Sequence, residues 1–121
     1  MKIFVFGNPD LKFDSLPVRL IPELKKHFPD SEFIHIDPNE EWEVPEGLTI
    51  IDTVLGIKNP MIFNNLLTFK KAPNITMHDF DAYANLRLLQ KIGKLKDVKI
   101  FGLPPDISEA EGLEFLRKYL K

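Results

Sequence analysis

A chain of 121 residues and 14.0 kDa, 44% hydrophobic and 28% charged, has the size and balance of one globular domain, which excludes a disordered or fibrous segment. Sixteen Lys and Arg against eighteen Asp and Glu leave a formal net charge of -2, so there is no global basic field to draw in a nucleic-acid backbone. The absence of cysteine removes disulfides, thiolate metal sites and a thiol nucleophile together, leaving carboxylate, imidazole or solvent for any metal.

The first stretch, Lys2 to Phe6 (KIFVF), is short, apolar on both faces and rich in β-branched and aromatic residues, the pattern of a central parallel strand. It empties into Gly7-Asn8-Pro9, a turn that presents Asp10 and Asp14 ahead of a helix. This is not a G-x-G-x-x-G cradle, and Pro9 removes a donor that a phosphate would use, so dinucleotide binding is disfavoured. In the helix PVRLIPELKKHF, Leu20, Leu24, Ile21 and Phe28 form the apolar stripe, Pro17 suits the first turn, and Pro22 is expected to kink the helix or to mark a short first turn.

Glu32 to Ile36 (EFIHI), Leu48 to Ile51 (LTII) and Val98 to Leu103 (VKIFGL) repeat the buried-strand pattern. In PMIFNNLLTF, Met61 to Phe63 and Leu66 to Phe69 could form one long strand, a hairpin, or a strand followed by a short helix, and an added strand at an edge is the preferred reading. A second helix is expected from about Phe80 to Ile92, capped by Asp79 or Asp81, with Ala82, Leu86, Leu89 and Ile92 inward and Gly93 as its stop. The last helix starts at the capping box Ser108-x-x-Glu111 and buries Leu113, Leu116 and Leu120. The sum is a single α/β domain over residues 1–121: a three-layer, open, mostly parallel twisted sheet of about five strands with helices on both faces.

No basic-then-apolar signal opens the chain and no apolar run approaches membrane-spanning length, so a cytoplasmic protein with no membrane partner is expected. The clusters Lys70-Lys71 and Lys91, Lys94 and Lys96 read as a solvated rim, with no nucleic-acid role. Ser15, Ser31 and Ser108 read as turn or cap residues, and no Ser-His-Asp arrangement declares itself.

In open α/β sheets ligands gather outside the carboxyl ends of the strands. That edge would carry Gly7 to Asp14, Asp37, Asp52 and the loop holding His78. Taken singly, Asp14 is a capping residue, Asp52 a polar strand end and His78 a surface histidine. Together, two carboxylates and an imidazole suit a divalent transition metal with positions left for solvent or substrate. Asp37 and Asp10 are reserve candidates, better read as a turn residue beside Pro38 and a solvated acid. His27 suits a helix C-terminus, His35 reads as a packed strand histidine, and Trp42 as apolar cover beside the crevice.

The order of these pieces resembles the hydrogenase maturation endopeptidases that process the large subunit of nickel-iron hydrogenases. The resemblance lies in FGNPDLKFDSLPVRL, with a Gly-Asn turn, an acid at Asp14 and Val18-Arg19 at a helix start; in LTIIDTV, which places a second carboxylate at Asp52; in ITMHDFDAYANLRLL, which places a histidine at His78; and in the closing VKIFGLPPDISEAEGLEFLRKYL. It spans nearly the whole chain. Phe13 replaces the first acid of the family's pair, Ser15 and Pro17 stand where glycines are usual, and DPNEEW replaces a glycine-rich turn.

The resemblance implies a cytoplasmic endopeptidase that engages nickel through Asp14, Asp52 and His78 and removes a C-terminal extension from the precursor of a nickel-iron hydrogenase large subunit. The nickel would be carried by the substrate, and no organic cofactor is implied. A degenerate, nonproteolytic metal- or protein-binding member is the alternative, which the lost loop glycines favour; a small nucleotide-binding α/β protein is a third reading, and lacks its phosphate motif.

Overall fold

The computed structural model describes residues 1–37, 42–64 and 77–120, and of 77–83 the backbone alone. Five strands, β1 (Lys2–Phe6), β2 (Glu32–Ile36), β3 (Gly47–Thr53), β4 (Met61–Phe63) and β5 (Asp97–Leu103), form one sheet in the order β2-β1-β3-β5-β4. β2, β1, β3 and β5 are parallel and β4 is antiparallel to β5. Among the described residues the helices are α1 (Leu16–His27), α2 (Met77–Lys91) and α3 (Glu109–Tyr119), and a short 3-10 turn, Lys12–Asp14, joins β1 to α1. No helix among the described residues is long and apolar enough to cross a membrane.

Alternation along the strands divides the core into two layers. Ile3, Val5, Ile51, Phe101 and Leu103 face Leu16, Leu20 and Leu24 of α1 and Leu116 and Leu120 at the end of α3. Phe4, Phe6, Leu48, Ile50, Val98 and Ile100 face the other way, toward Leu86 of α2, with Leu89 and Trp42 packed alongside. Trp42 does cover this layer, its ring 5.0 Å from that of Phe4 and edge-on to Phe6. The architecture is the expected three-layer α/β sheet, with β4 as the added edge strand; Leu66 to Phe69 and Lys70-Lys71 lie outside the described residues.

Four expectations need correction. β2 is not buried on both faces: it is the edge strand beside β1, and Glu32 and His35 are exposed. Pro22 does not mark a short first turn, because α1 begins at Leu16 and runs through it for 12 residues. α2 begins at Met77, not near Phe80, so Asp79 and Asp81 lie inside the helix instead of capping it, and His78 sits in its first turn instead of a preceding loop. Ile92, expected inward, is 58% exposed just past the helix end. Periodicity counts one residue too far there, because Gly93 reverses the chain at φ 83° while Lys94 N–H closes onto Leu89 O at 3.0 Å.

At the other end of the chain, Ser108 caps α3 as the pattern requires, its Oγ accepting from Glu111 N–H at 3.1 Å. Replacing it with alanine orphans that donor. A Ser108→Ala variant is expected to lose about 1 kcal/mol in thermal unfolding without change in the folded far-UV spectrum.

Candidate active site

The chain leaves β1, crosses through α1 to β2 on one side, and then returns to place β3 on the other side of β1. The connections from adjacent strands β1 and β3 therefore diverge at their carboxyl ends, which opens a crevice there. Asp14 lies in the segment that leaves β1, and Asp52 lies at the end of β3.

Asp14 is placed by its loop. Asn8 supplies three of the loop's bonds: its side-chain Oδ1 accepts from Asp10 N–H at 2.9 Å, its carbonyl accepts from Leu11 N–H at 3.1 Å, and its N–H donates to Asp14 O at 3.0 Å. Asp14 N–H in turn donates to Leu11 O at 2.9 Å. The turn can close this tightly because residue 7 is glycine. Its φ is +152°, and a Cβ there would stand 2.7 Å from Asp14 O and 3.1 Å from a Val18 methyl.

Ser15 follows at the start of α1, buried, but its hydroxyl makes no helix cap. It donates instead to Lys12 O at 3.2 Å and accepts from Arg19 Nε at 3.1 Å, stapling the 3-10 turn to the first turn of α1. Asp14 is left half-buried at the crevice, while Leu11 and Phe13 beside it are exposed.

Asp52 pairs with Gly102 of β5, and its 0% exposure makes it the most buried carboxylate of the described chain. Strand alternation puts it on the α2 side, with Leu48 and Ile50. Its Oδ1 accepts from Thr53 N–H at 2.8 Å, so part of its charge is met by the backbone. The hydroxyl of Thr53 itself is buried and finds no hydrogen-bond partner among the described residues.

His78 lies in the first turn of α2. The connection from α2 to β5 is tied at the amino end of the sheet, where Lys96 N–H, just before β5, donates to Glu46 O at 2.8 Å, just before β3. Fifteen helical residues rise about 22 Å and a seven-residue strand spans about 23 Å. A helix of this length, packed on the Asp52 face through Leu86 and running antiparallel to β5, would bring its first turn, with His78, to about the level of the carboxyl ends of β3 and β5. The side chain of His78 lies outside the described residues, and among the described residues no three His, Asp or Glu side chains form a metal-sized cluster.

The remaining histidines do not join this group. His27 is exposed in the last turn of α1. His35, read from sequence as a packed residue, is exposed on edge strand β2 and reaches across to Gly7 O at 2.8 Å. Sequence reasoning missed that contact, although the parallel register Val5↔His35 and Phe6↔Ile36 leads directly to it. Asp37 follows β2 at the same edge, and Asp10 is exposed in the β1 loop.

The mostly parallel sheet, with its switch point between β1 and β3, has the fold of solved hydrogenase maturation proteases. The solved structures it matches include the [NiFe] hydrogenase maturation protease HybD from Thermococcus kodakarensis, at TM-score 0.67 and 17% identity over 99% of this chain and 97% of that one. The hydrogenase maturating endopeptidase HybD from E. coli matches at TM-score 0.61 and 18% identity over 98% and 86% of the two chains, and a hydrogenase 3 maturation protease at 0.64 and 18% over 100% and 89%. No protein-family model and no curated protein matches the sequence.

Proposed function

We propose that this protein is a cytoplasmic endopeptidase that recognises nickel already installed in a precursor nickel-iron hydrogenase large subunit and removes the subunit's C-terminal extension. The observation that supports this most is the strand order: Asp14 follows β1 and Asp52 ends β3, the two strands that flank the sheet's switch point, and His78 lies in the first turn of α2, the helix that packs on the Asp52 face. The fold shared with maturation proteases agrees with it.

Carboxylate and imidazole donors suit nickel held jointly with a substrate, since they leave coordination positions for the groups the precursor brings. The nickel is substrate cargo in this reading. Asp52, buried and oriented by Thr53 N–H, supplies a fixed negative charge in a low-dielectric setting; Asp14, half-buried on the facing loop, supplies an accessible one. His78 completes the set as the neutral nitrogen donor. A metal held there would polarise the scissile carbonyl or activate a water beside it.

Nickel titration of the purified protein by calorimetry, with and without precursor, tests the assignment. One-site binding lost in His78→Ala, with circular dichroism unchanged, is the expected result. Binding unchanged in that variant would remove His78 from the site.

A second reading, a nonproteolytic binding module on the same scaffold, is favoured by the crowded β1–α1 loop. Ser15 and Pro17 are buried there, and Gly7 packs against Asp14 O. Mixing the protein with nickel-loaded precursor separates the two readings: the endopeptidase shortens the precursor, and the module forms a complex and leaves it full length.

A further inference from the structure

We propose that His35 is a positioning residue for Asp14, acting through the peptide unit between Gly7 and Asn8. This rests on the reading of Asp14 as a site residue. The carbonyl and the N–H of that peptide point in opposite directions, and both are held. The oxygen, Gly7 O, lies 2.8 Å from His35 Nε2, and because a carbonyl only accepts, Nε2 carries the hydrogen and donates. The Asn8 N–H donates to Asp14 O at 3.0 Å.

The physical need for an outside hold comes from the loop's own chemistry. Gly7 has no side chain to restrict its ψ, so nothing local prevents the peptide from turning over and withdrawing the N–H from Asp14. Asn8 is constrained by Pro9 to extended conformations and cannot compensate by a helical turn. The Asn8–Asp10, Asn8–Leu11 and Leu11–Asp14 bonds all join residues of the loop to one another. The His35 bond instead ties the loop to a different strand, 28 residues away in sequence, whose five-residue pairing with β1 fixes its position. Val5 and His35 are register partners, so alternation puts the His35 side chain on the face toward which the β1 exit bends, the face covered by α1. His35 is exposed, so its removal leaves no cavity; what it loses is orientation.

Amide hydrogen exchange on the intact protein, its His35→Ala variant and its His35→Gln variant tests the role. Exchange of the Asn8 amide is expected to be about fivefold faster in His35→Ala, the loss of one net hydrogen bond, while the Val5 amide in β1 keeps its rate. In His35→Gln the side-chain amide donates in place of Nε2–H, and Asn8 protection returns. With nickel-loaded precursor, His35→Ala is expected to lower kcat by about the same factor with KM unchanged, and His35→Gln to recover it.

An Asn8 amide that exchanges equally in all three proteins overturns the inference, as does accelerated exchange accompanied by full kcat. If the parent protein cleaves no precursor, the endopeptidase reading fails by itself, and Asn8 exchange alone then decides whether His35 holds the Asp14 loop.

Discussion

Asp52→Asn is expected to reduce cleavage of nickel-loaded precursor by at least about a hundredfold in kcat/KM while melting within a few degrees of the parent protein. The choice of asparagine follows from the structure. Asp52 is fully buried and its Oδ1 accepts from Thr53 N–H, so alanine would leave a buried donor unpaired, at about 1–3 kcal/mol, and confuse a folding loss with a chemical one. Asparagine keeps the volume and an acceptor for Thr53, while it removes the charge and puts an NH2 group in place of the second oxygen. Nickel affinity measured by calorimetry should fall with activity. Full activity in the folded Asn variant would show that the buried carboxylate is a structural strand end and would move the catalytic assignment elsewhere along the crevice.

Gly7→Ala carries the largest expected effect on stability and should also disturb the site. The new methyl would enter at 2.7 Å from Asp14 O and 3.1 Å from Val18, in a backbone conformation that residues with a Cβ rarely adopt. Overpacking of about 1–3 kcal/mol adds to backbone strain of similar size. Unfolding by urea should therefore show a loss of about 3 kcal/mol, and the melting temperature should fall by about 10 °C. Because the displaced atoms belong to Asp14, nickel binding measured below the new melting temperature should weaken as well. An alanine variant with the parent's stability would mean that the loop can open around Gly7, and would remove the tight turn as the device that places Asp14.

Much of the fold was legible because strands buried on both faces leave continuous apolar runs. KIFVF matches β1 from Lys2 to Phe6, and the runs at Leu48 and Val98 lie within β3 and β5. The capping box at Ser108 and the stop at Gly93 are local chemistry, and both appear as read. EFIHI misled as to burial, since an edge strand of a parallel sheet has a similar apolar composition to a central one, and its exposure depends on what lies beside it. The start of α2 was misplaced because Asp79 and Asp81 are good caps in isolation, and an acid in a helix's first turn looks the same in sequence as an acid just before it.

The candidate site divides in the same way. The sequence by itself determined which residues could bear the chemistry: no cysteine, few histidines, and Asp14 and Asp52 directly behind apolar strands. These are properties of composition and short-range order. Only the tertiary structure decided that β3 inserts on the far side of β1, that α2 starts early enough to hold His78 in its first turn, and that His35 reaches from an edge strand to Gly7 O. Strand order, helix orientation and parallel register join residues tens of positions apart. No local propensity encodes such pairings, which arise when the two apolar layers close on the sheet together.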